Sequence, residues 1–188
     1  VVGRVSKGNS PVLISPEYRE QQRHMHETTL YGVASAEYAP MVAKVIDSHG
    51  VKTLLDYGAG SRLTLIRTIN EKRLAKSAFN YIPYEPAIPQ YAKAPEPAEM
   101  VACIDVLEHI EPECLFEVLD DLKRLTLRVG LFTVSCVPAG KTLPDGRNAH
   151  LIQEPPEWWL PKITDRFCLQ SFQRTPGGFV VLVSPSEL

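Results

Sequence analysis

The chain has no CxxC pair: its four cysteines, Cys103, Cys114, Cys136 and Cys168, stand far apart. That spacing excludes a zinc framework and the disulfide scaffold of a small secreted domain. Three of the four lie in apolar runs, where a thiol serves as a small hydrophobe. No apolar run approaches the roughly 20 residues that cross a bilayer, so no membrane partner is expected. The first residues, Val1 to Pro11, lack the basic start and apolar stretch of a leader, and the expectation is a cytoplasmic protein. A basic excess is missing too: 20 Lys and Arg stand against 22 Asp and Glu, a formal net charge of -2. Such a chain has no field of its own to hold a nucleic-acid backbone. A small anionic substrate stays open. Neither a repeat nor a linker divides the 188 residues, which suffice for one core. The expectation is one domain over residues 17–188, behind a flexible polar arm over residues 1–16 that carries Gly3, Gly8, Pro11 and Pro16.

What is present is an alternation of strands and helices. Residues 17–30 tolerate a helix but are weakly apolar, as in a helix that covers something. Pro40 suits a first helical turn, Met41, Val42, Val45 and Ile46 form a stripe, and Gly50 ends it. Strands are expected at 53–56, 78–84, 100–105 and 129–136, with helices at 61–69 and from Pro112. In the latter, Leu115, Val118, Leu119 and Leu122 share one face. A long segment, Val137 to Glu154, precedes a helix at 155–163. Strands at 167–173 and 179–183 are joined by Thr175-Pro176-Gly177-Gly178, a hairpin signal. The fold class expected is α/β: a Rossmann-like, mostly parallel sheet with helices on both faces and a C-terminal antiparallel hairpin.

Ligands of parallel sheets sit at the carboxyl ends of the strands. Gly58-Ala59-Gly60 lies at such an end, where missing side chains let a ligand approach the backbone. Asp56 precedes the glycines by two residues. Glu85, followed by Pro86, ends the next strand, where a carboxylate can accept hydrogen bonds from both hydroxyls of a ribose. A nicotinamide-dependent oxidoreductase shares most of this pattern. Its fingerprint, however, wants a third Gly or Ala where this chain has Leu63, and it leaves Asp56 unexplained.

The run Leu54-Leu55-Asp56-Tyr57-Gly58-Ala59-Gly60 resembles the first motif of class I, seven-stranded methyltransferases that use S-adenosyl-L-methionine. The run Cys103-Ile104-Asp105-Val106-Leu107-Glu108-His109-Ile110 is similar to that family's fourth-strand motif, next to the transferring methyl. From about Leu54 to Val183 the order of motifs fits, and the chain further resembles short stand-alone members often encoded by phages. The resemblance implies a cofactor site at Asp56, Gly58, Ala59, Gly60, Glu85, Pro86, Asp105 and Val106, with S-adenosyl-L-homocysteine as product. It also implies a histidine before an aromatic-containing helix, here His150 ahead of Trp158-Trp159, on the acceptor side. An imidazole there can accept a proton, and His150 and His109 are the catalytic candidates. The acceptor expected is a small molecule or a nucleotide; a nucleic acid stays possible. A protein that uses the cofactor without methylating, as a regulator or for another reaction, is the alternative.

The chain also departs from that family. Arg62 stands where many members have another glycine. Only residues 86–99, with four prolines, separate the second strand from the third, so one edge of the sheet should be abbreviated. Glu154-Pro155-Pro156-Glu157 resembles the signature of amino-directed DNA methyltransferases but sits in the wrong place, after the long segment. No set of acids clusters along the sequence near the acceptor side, and no metal is expected.

Overall fold

The computed structural model describes residues 12–29 and 31–186. Most of the arm expected over residues 1–16 therefore lies outside the described residues. Six strands form one sheet, in the order β2-β1-β3-β4-β6-β5. Strands β1 (Thr53–Tyr57), β2 (Asn80–Tyr84), β3 (Ala98–Ile104) and β4 (Thr126–Ser135) run parallel. The hairpin β5 (Phe167–Thr175) and β6 (Gly178–Pro185) joins β4 antiparallel through β6. The α/β fold with its terminal hairpin is thus as the pattern predicts. The sheet has six strands among the described residues, not seven. The missing one belongs at the β2 edge, where the proline-rich stretch holds only a single 3₁₀ turn, Pro89–Tyr91. Proline supplies no N–H to a ladder, so that stretch makes a poor strand.

Alternation along β3 assigns the two faces. Met100, Ala102 and Ile104 pack with α2 (Ser35–His49) and α3 (Thr64–Glu71) in one cluster. Val101 and Cys103 pack on the other face with α4 (Leu115–Leu125) and α5 (Pro156–Thr164). A strand buried on both faces has to be apolar at every position, which is what β3 shows from Met100 to Ile104. The stripe on α4 reaches from Leu115 to Leu125, all of it buried. Trp159 is fully buried in the same cluster, while Trp158 is half-buried and carries the Lys162 ammonium 3.5 Å from its ring centre.

Two helices start elsewhere than the sequence suggests. α2 begins at Ser35, which leaves Pro40 inside it rather than in its first turn. Its opening turn is made by Ala36 and Glu37 N–H groups bonding three residues back, to Val33 and Ala34. α3 begins at Thr64 rather than Ser61, because Leu63 takes a left-handed conformation (φ 49°) that no helix interior accepts. The glycine turn after β1 is therefore a longer loop than a direct strand-to-helix junction.

The first helix, α1 (Pro16–Thr28), packs against no strand cluster. Its Tyr18 and Met25 meet Leu143 and Ala149 of the 137–154 segment in a small cluster of their own. Ser15 caps α1 by accepting the Tyr18 N–H, and its own N–H and Oγ both donate to the Glu111 carboxylate, at 2.8 and 2.6 Å. Tyr18 then donates its hydroxyl to the His109 carbonyl at 2.6 Å. α1 is thereby fastened across the carboxyl ends of the parallel strands.

Candidate active site

Under α1 lies a cavity of about 340 Å³, bounded by the loops after β1, β2 and β3 and by the 137–154 segment. Its size falls in the roughly 300–1,000 Å³ range of small-molecule sites. Its position at the carboxyl ends of parallel strands is where such folds bind ligands.

At the β1 end, Gly58 lines the cavity with φ 83°, and an added Cβ there would stand 2.4 Å from Val106 Cγ2. The backbone can pass between the two loops only because that carbon is missing. The N–H groups of Gly58 and Ala59 donate to the Tyr84 carbonyl. Gly60 packs against His26 of α1 and gives its N–H to Glu85 Oε2 at 3.3 Å. Glu85 Oε1 takes the Ala87 N–H at 3.2 Å. Each carboxylate oxygen keeps a further lone pair for a ligand. Burial pushes the Glu85 carboxyl up, opposed by those two N–H donors. Facing it at 3.8 Å is His26 Nε2, on an imidazole that burial pushes down to about 4. His26 Nδ1 is buried with no hydrogen-bond partner among the described residues.

Of the residues assigned to cofactor binding, Gly58, Glu85, Pro86, Asp105 and Val106 line the cavity. Asp56, Ala59 and Gly60 are not among its lining residues. The parity of β1 accounts for Asp56. Leu55 and Tyr57 face the α4 cluster and Tyr57 the cavity, so the side chain between them projects to the opposite face. There the Tyr81 hydroxyl donates to Asp56 Oδ2 at 2.6 Å.

That buried acid has a measurable consequence. Burial, and to a lesser degree Glu85, push the Asp56 carboxyl up to about 7, against the hydrogen bond from Tyr81. An unfolded aspartate titrates near about 3.9. Between about pH 4 and pH 7 the folded chain therefore holds more protons than the unfolded one, and stability falls as pH rises through that window. The melting temperature of the parent relative to Asp56→Asn should decline from pH 5 to pH 8, a comparison in which the opposite contributions of His26 and His109, both pushed down by burial, cancel. Parallel profiles for the two chains would show that Asp56 is ionised throughout.

Beyond β3 the backbone turns sharply. Asp105 sits at φ 59°, a left-handed conformation uncommon outside glycine, and its N–H is held by Thr133 Oγ1 at 2.9 Å. Strain of this kind collects at sites where a side chain must be aimed. Behind Asp105, Glu108 is fully buried; its Oε1 accepts the Ser135 N–H and its Oε2 meets no hydrogen-bond donor among the described residues. Burial and the adjoining Asp105 push the Glu108 carboxyl well above the usual range. His109 lines the cavity, its Nδ1 lying 2.7 Å from the Ala149 carbonyl and 2.9 Å from the Tyr31 hydroxyl. Burial pushes this imidazole down to about 4, so it is neutral at physiological pH.

The 137–154 segment forms the opposite wall. Asn148 folds it, accepting the N–H groups of Ala139 and His150 at Oδ1 and donating Nδ2 to the Ala139 carbonyl. This brings His150 into the cavity edge-to-face with His109, ring centres 4.7 Å apart. His150 Nδ1 is 2.6 Å from the Val137 carbonyl. The structure therefore brings both catalytic candidates together. The sequence reading missed Tyr18, Gln22 and Glu111, which also line the cavity. Only Tyr18 left a trace, as an aromatic on an otherwise weakly apolar helix.

No protein-family model matches the chain, and no curated protein matches it either. Solved structures do. The 1,6-didemethyltoxoflavin-N1-methyltransferase of Burkholderia thailandensis, with bound 1,6-didemethyltoxoflavin and S-adenosylhomocysteine, aligns over 96% of this chain and 94% of its own at 16% identity, TM-score 0.59. Magnesium protoporphyrin IX methyltransferase of Synechocystis PCC 6803, with bound SAH, aligns over 90% of this chain and 97% of its own at 15% identity, TM-score 0.57. Mitomycin 7-O-methyltransferase aligns over 81% of this chain but 54% of its own, at 13% identity and TM-score 0.57. At these identities the likeness establishes the fold: a Rossmann-like sheet of the kind found in class I methyltransferases.

Proposed function

We propose that the chain is a methyltransferase that uses S-adenosyl-L-methionine and acts on a small-molecule or nucleotide-type acceptor. The observation that carries this is one cavity joining Gly58 and Glu85 at the ends of β1 and β2 to Asp105, His109 and His150. The fold neighbours support the cofactor: the Burkholderia protein holds S-adenosylhomocysteine and the Synechocystis protein holds SAH.

The residues present fit such a ligand. Glu85 ends β2 with a carboxylate at the cavity wall, suited to accept two ribose hydroxyls. Gly58 keeps the cavity floor free of a side chain. The buried, unpartnered Nδ1 of His26 is a polar atom that awaits a ligand group or water. Asp105 and Val106 line the wall between this end and the histidines. Bound there, the cofactor supplies an electrophilic methyl on sulfur and leaves as S-adenosyl-L-homocysteine.

What the protein contributes is position. α1 and the 137–154 segment flank the cavity from two sides, placed to hold an acceptor in line. The Val137 carbonyl can only accept, so it fixes the proton of His150 on Nδ1 and leaves Nε2 free to take one from the acceptor. His109, held in the same way by the Ala149 carbonyl, orients its neighbour edge-to-face. We assign the catalytic unit to residues 17–188. Mass spectrometry of ligand carried through purification tests the reading. S-adenosyl-L-methionine or its demethylated product is expected; a nicotinamide cofactor in its place would overturn it.

A further inference from the structure

The sequence offers no metal-ligand cluster, yet folding makes one. One oxygen of Asp105 and one ring nitrogen each of His109 and His150 lie within 4.8 Å of one another. We infer that these three side chains form a site for one divalent transition-metal cation in the cavity wall. Two independent features of the surroundings point the same way.

The first is how the imidazoles are held. Each Nδ1 lies against a backbone carbonyl, Ala149 at 2.7 Å for His109 and Val137 at 2.6 Å for His150. A carbonyl has no hydrogen to give, so both rings carry their proton on Nδ1. Both Nε2 lone pairs are then available, and no hydrogen-bond donor meets either among the described residues. Metal-binding histidines are oriented in this manner, the second nitrogen donating to a carbonyl or carboxylate. The second feature is Glu108. It lies between Asp105 and His109 in the chain, is fully buried, and its Oε2 meets no hydrogen-bond donor among the described residues. An orphaned buried oxygen calls for a partner, and a cation on the adjoining ligands brings positive charge to it.

The donor set selects the metal. Two imidazoles and one carboxylate suit Zn²⁺, Co²⁺, Fe²⁺ or Mn²⁺, whereas Mg²⁺ and Ca²⁺ prefer oxygen throughout. Donors on one such ion, with bonds of about 2.0–2.2 Å, stand at most about 4.4 Å apart, a spacing compatible with three atoms that lie within 4.8 Å of one another. Three protein ligands leave positions open toward the cavity, as at zinc sites that also bind a substrate or water. An oxygen or nitrogen of the acceptor fills them, and with the cation on His150 Nε2 the metal, by lowering the pKa of that bound group, takes the place of the imidazole as the aid to its deprotonation; that clause alone rests on the methyl-transfer reading.

The test uses the full, tag-free chain, stripped with chelator and titrated with Co²⁺. One equivalent should bind and develop visible absorption bands of a low-coordinate site, which Zn²⁺ then abolishes and Mg²⁺ does not. His150→Ala and Asp105→Asn should each weaken Co²⁺ by more than about a hundredfold, beyond the roughly 10–100-fold effect of an outer-shell partner. His24→Ala, at an exposed position on α1, should not change it. Circular dichroism establishes that each variant is folded, and His150→Gln replaces His150→Ala if the latter is not. Absence of Co²⁺ binding, or binding unchanged in both site variants, overturns the proposal. Titration with S-adenosyl-L-homocysteine on the same metal-free chain separates this outcome from failure of the cofactor assignment.

Discussion

Gly58→Leu should abolish binding of S-adenosyl-L-homocysteine while the chain stays folded. Gly58 lies at φ 83°, and its added Cβ would meet Val106 Cγ2 at 2.4 Å and Cγ1 at 3.2 Å. Both residues line the cavity, so a leucine either drives Val106 into it or fills it directly. The left-handed backbone costs a non-glycine residue about 1–2 kcal/mol and overpacking against Val106 about 1–3 kcal/mol more, against a domain stability of roughly 5–15 kcal/mol. The fold therefore survives, with a melting temperature lower by several degrees. Gly50→Ala is the control, because Gly50 has φ 60° at the end of α2 with nothing within 4 Å of its added Cβ. It carries the same backbone strain far from the cavity and should bind normally. Equal binding by Gly58→Leu and the parent, measured by calorimetry, would place the cofactor elsewhere.

Glu85→Ala should weaken the same ligand by more than tenfold. A hydrogen bond to a charged group contributes about 1.5–3 kcal/mol, and every 1.4 kcal/mol is a factor of ten. Glu85 also ties the Gly60 and Ala87 N–H groups together, so its loss loosens two loops at the cavity wall. Glu85→Gln separates the two roles. It keeps one acceptor oxygen of the right shape, and should bind more weakly than the parent and more tightly than Glu85→Ala. If all three chains bind alike, Glu85 accepts no ribose hydroxyl.

The parts of this site that are local in sequence were readable there. Glycines directly after an apolar strand, an acid at the end of the next strand, and Asp105 at the end of another each follow from where parallel sheets bind ligands. Their neighbours were readable less well, for physical reasons. The motif run names Asp56, but strand parity decides its direction, and Tyr57 takes the cavity face while Asp56 turns to Tyr81. Gly60 and Ala59 give their N–H groups to the Glu85 carboxylate and the Tyr84 carbonyl, bonds that no residue type announces. The start of α3 depends on a left-handed Leu63, a conformation a leucine rarely adopts and so gives no sign of. Pro40 suggested a helix start because its missing N–H is harmless in a first turn. It lies inside α2 instead, where five residues precede it.

The convergence of His109 and His150 is the largest thing the sequence withheld. They come from the loop after β3 and from the 137–154 segment, and only the fold of that segment around Asn148 brings them into edge-to-face contact. The residues fixing α1 over the cavity are also tertiary. Ser15 and Tyr18 reach Glu111 and the His109 carbonyl across about ninety positions of chain. A weakly apolar helix at 17–30 could be read as a cover, but its place could not. The abbreviated sheet edge was legible because proline acts locally on backbone hydrogen bonding.

The most direct test of the central claim is calorimetric titration of the purified chain with S-adenosyl-L-homocysteine and, separately, with NADH. Stoichiometric binding of S-adenosyl-L-homocysteine, lost in Gly58→Leu and retained in Gly50→Ala, is the predicted result. Tight binding of NADH with none of S-adenosyl-L-homocysteine would contradict the account, since Glu85 and the glycine turn would then serve a dinucleotide.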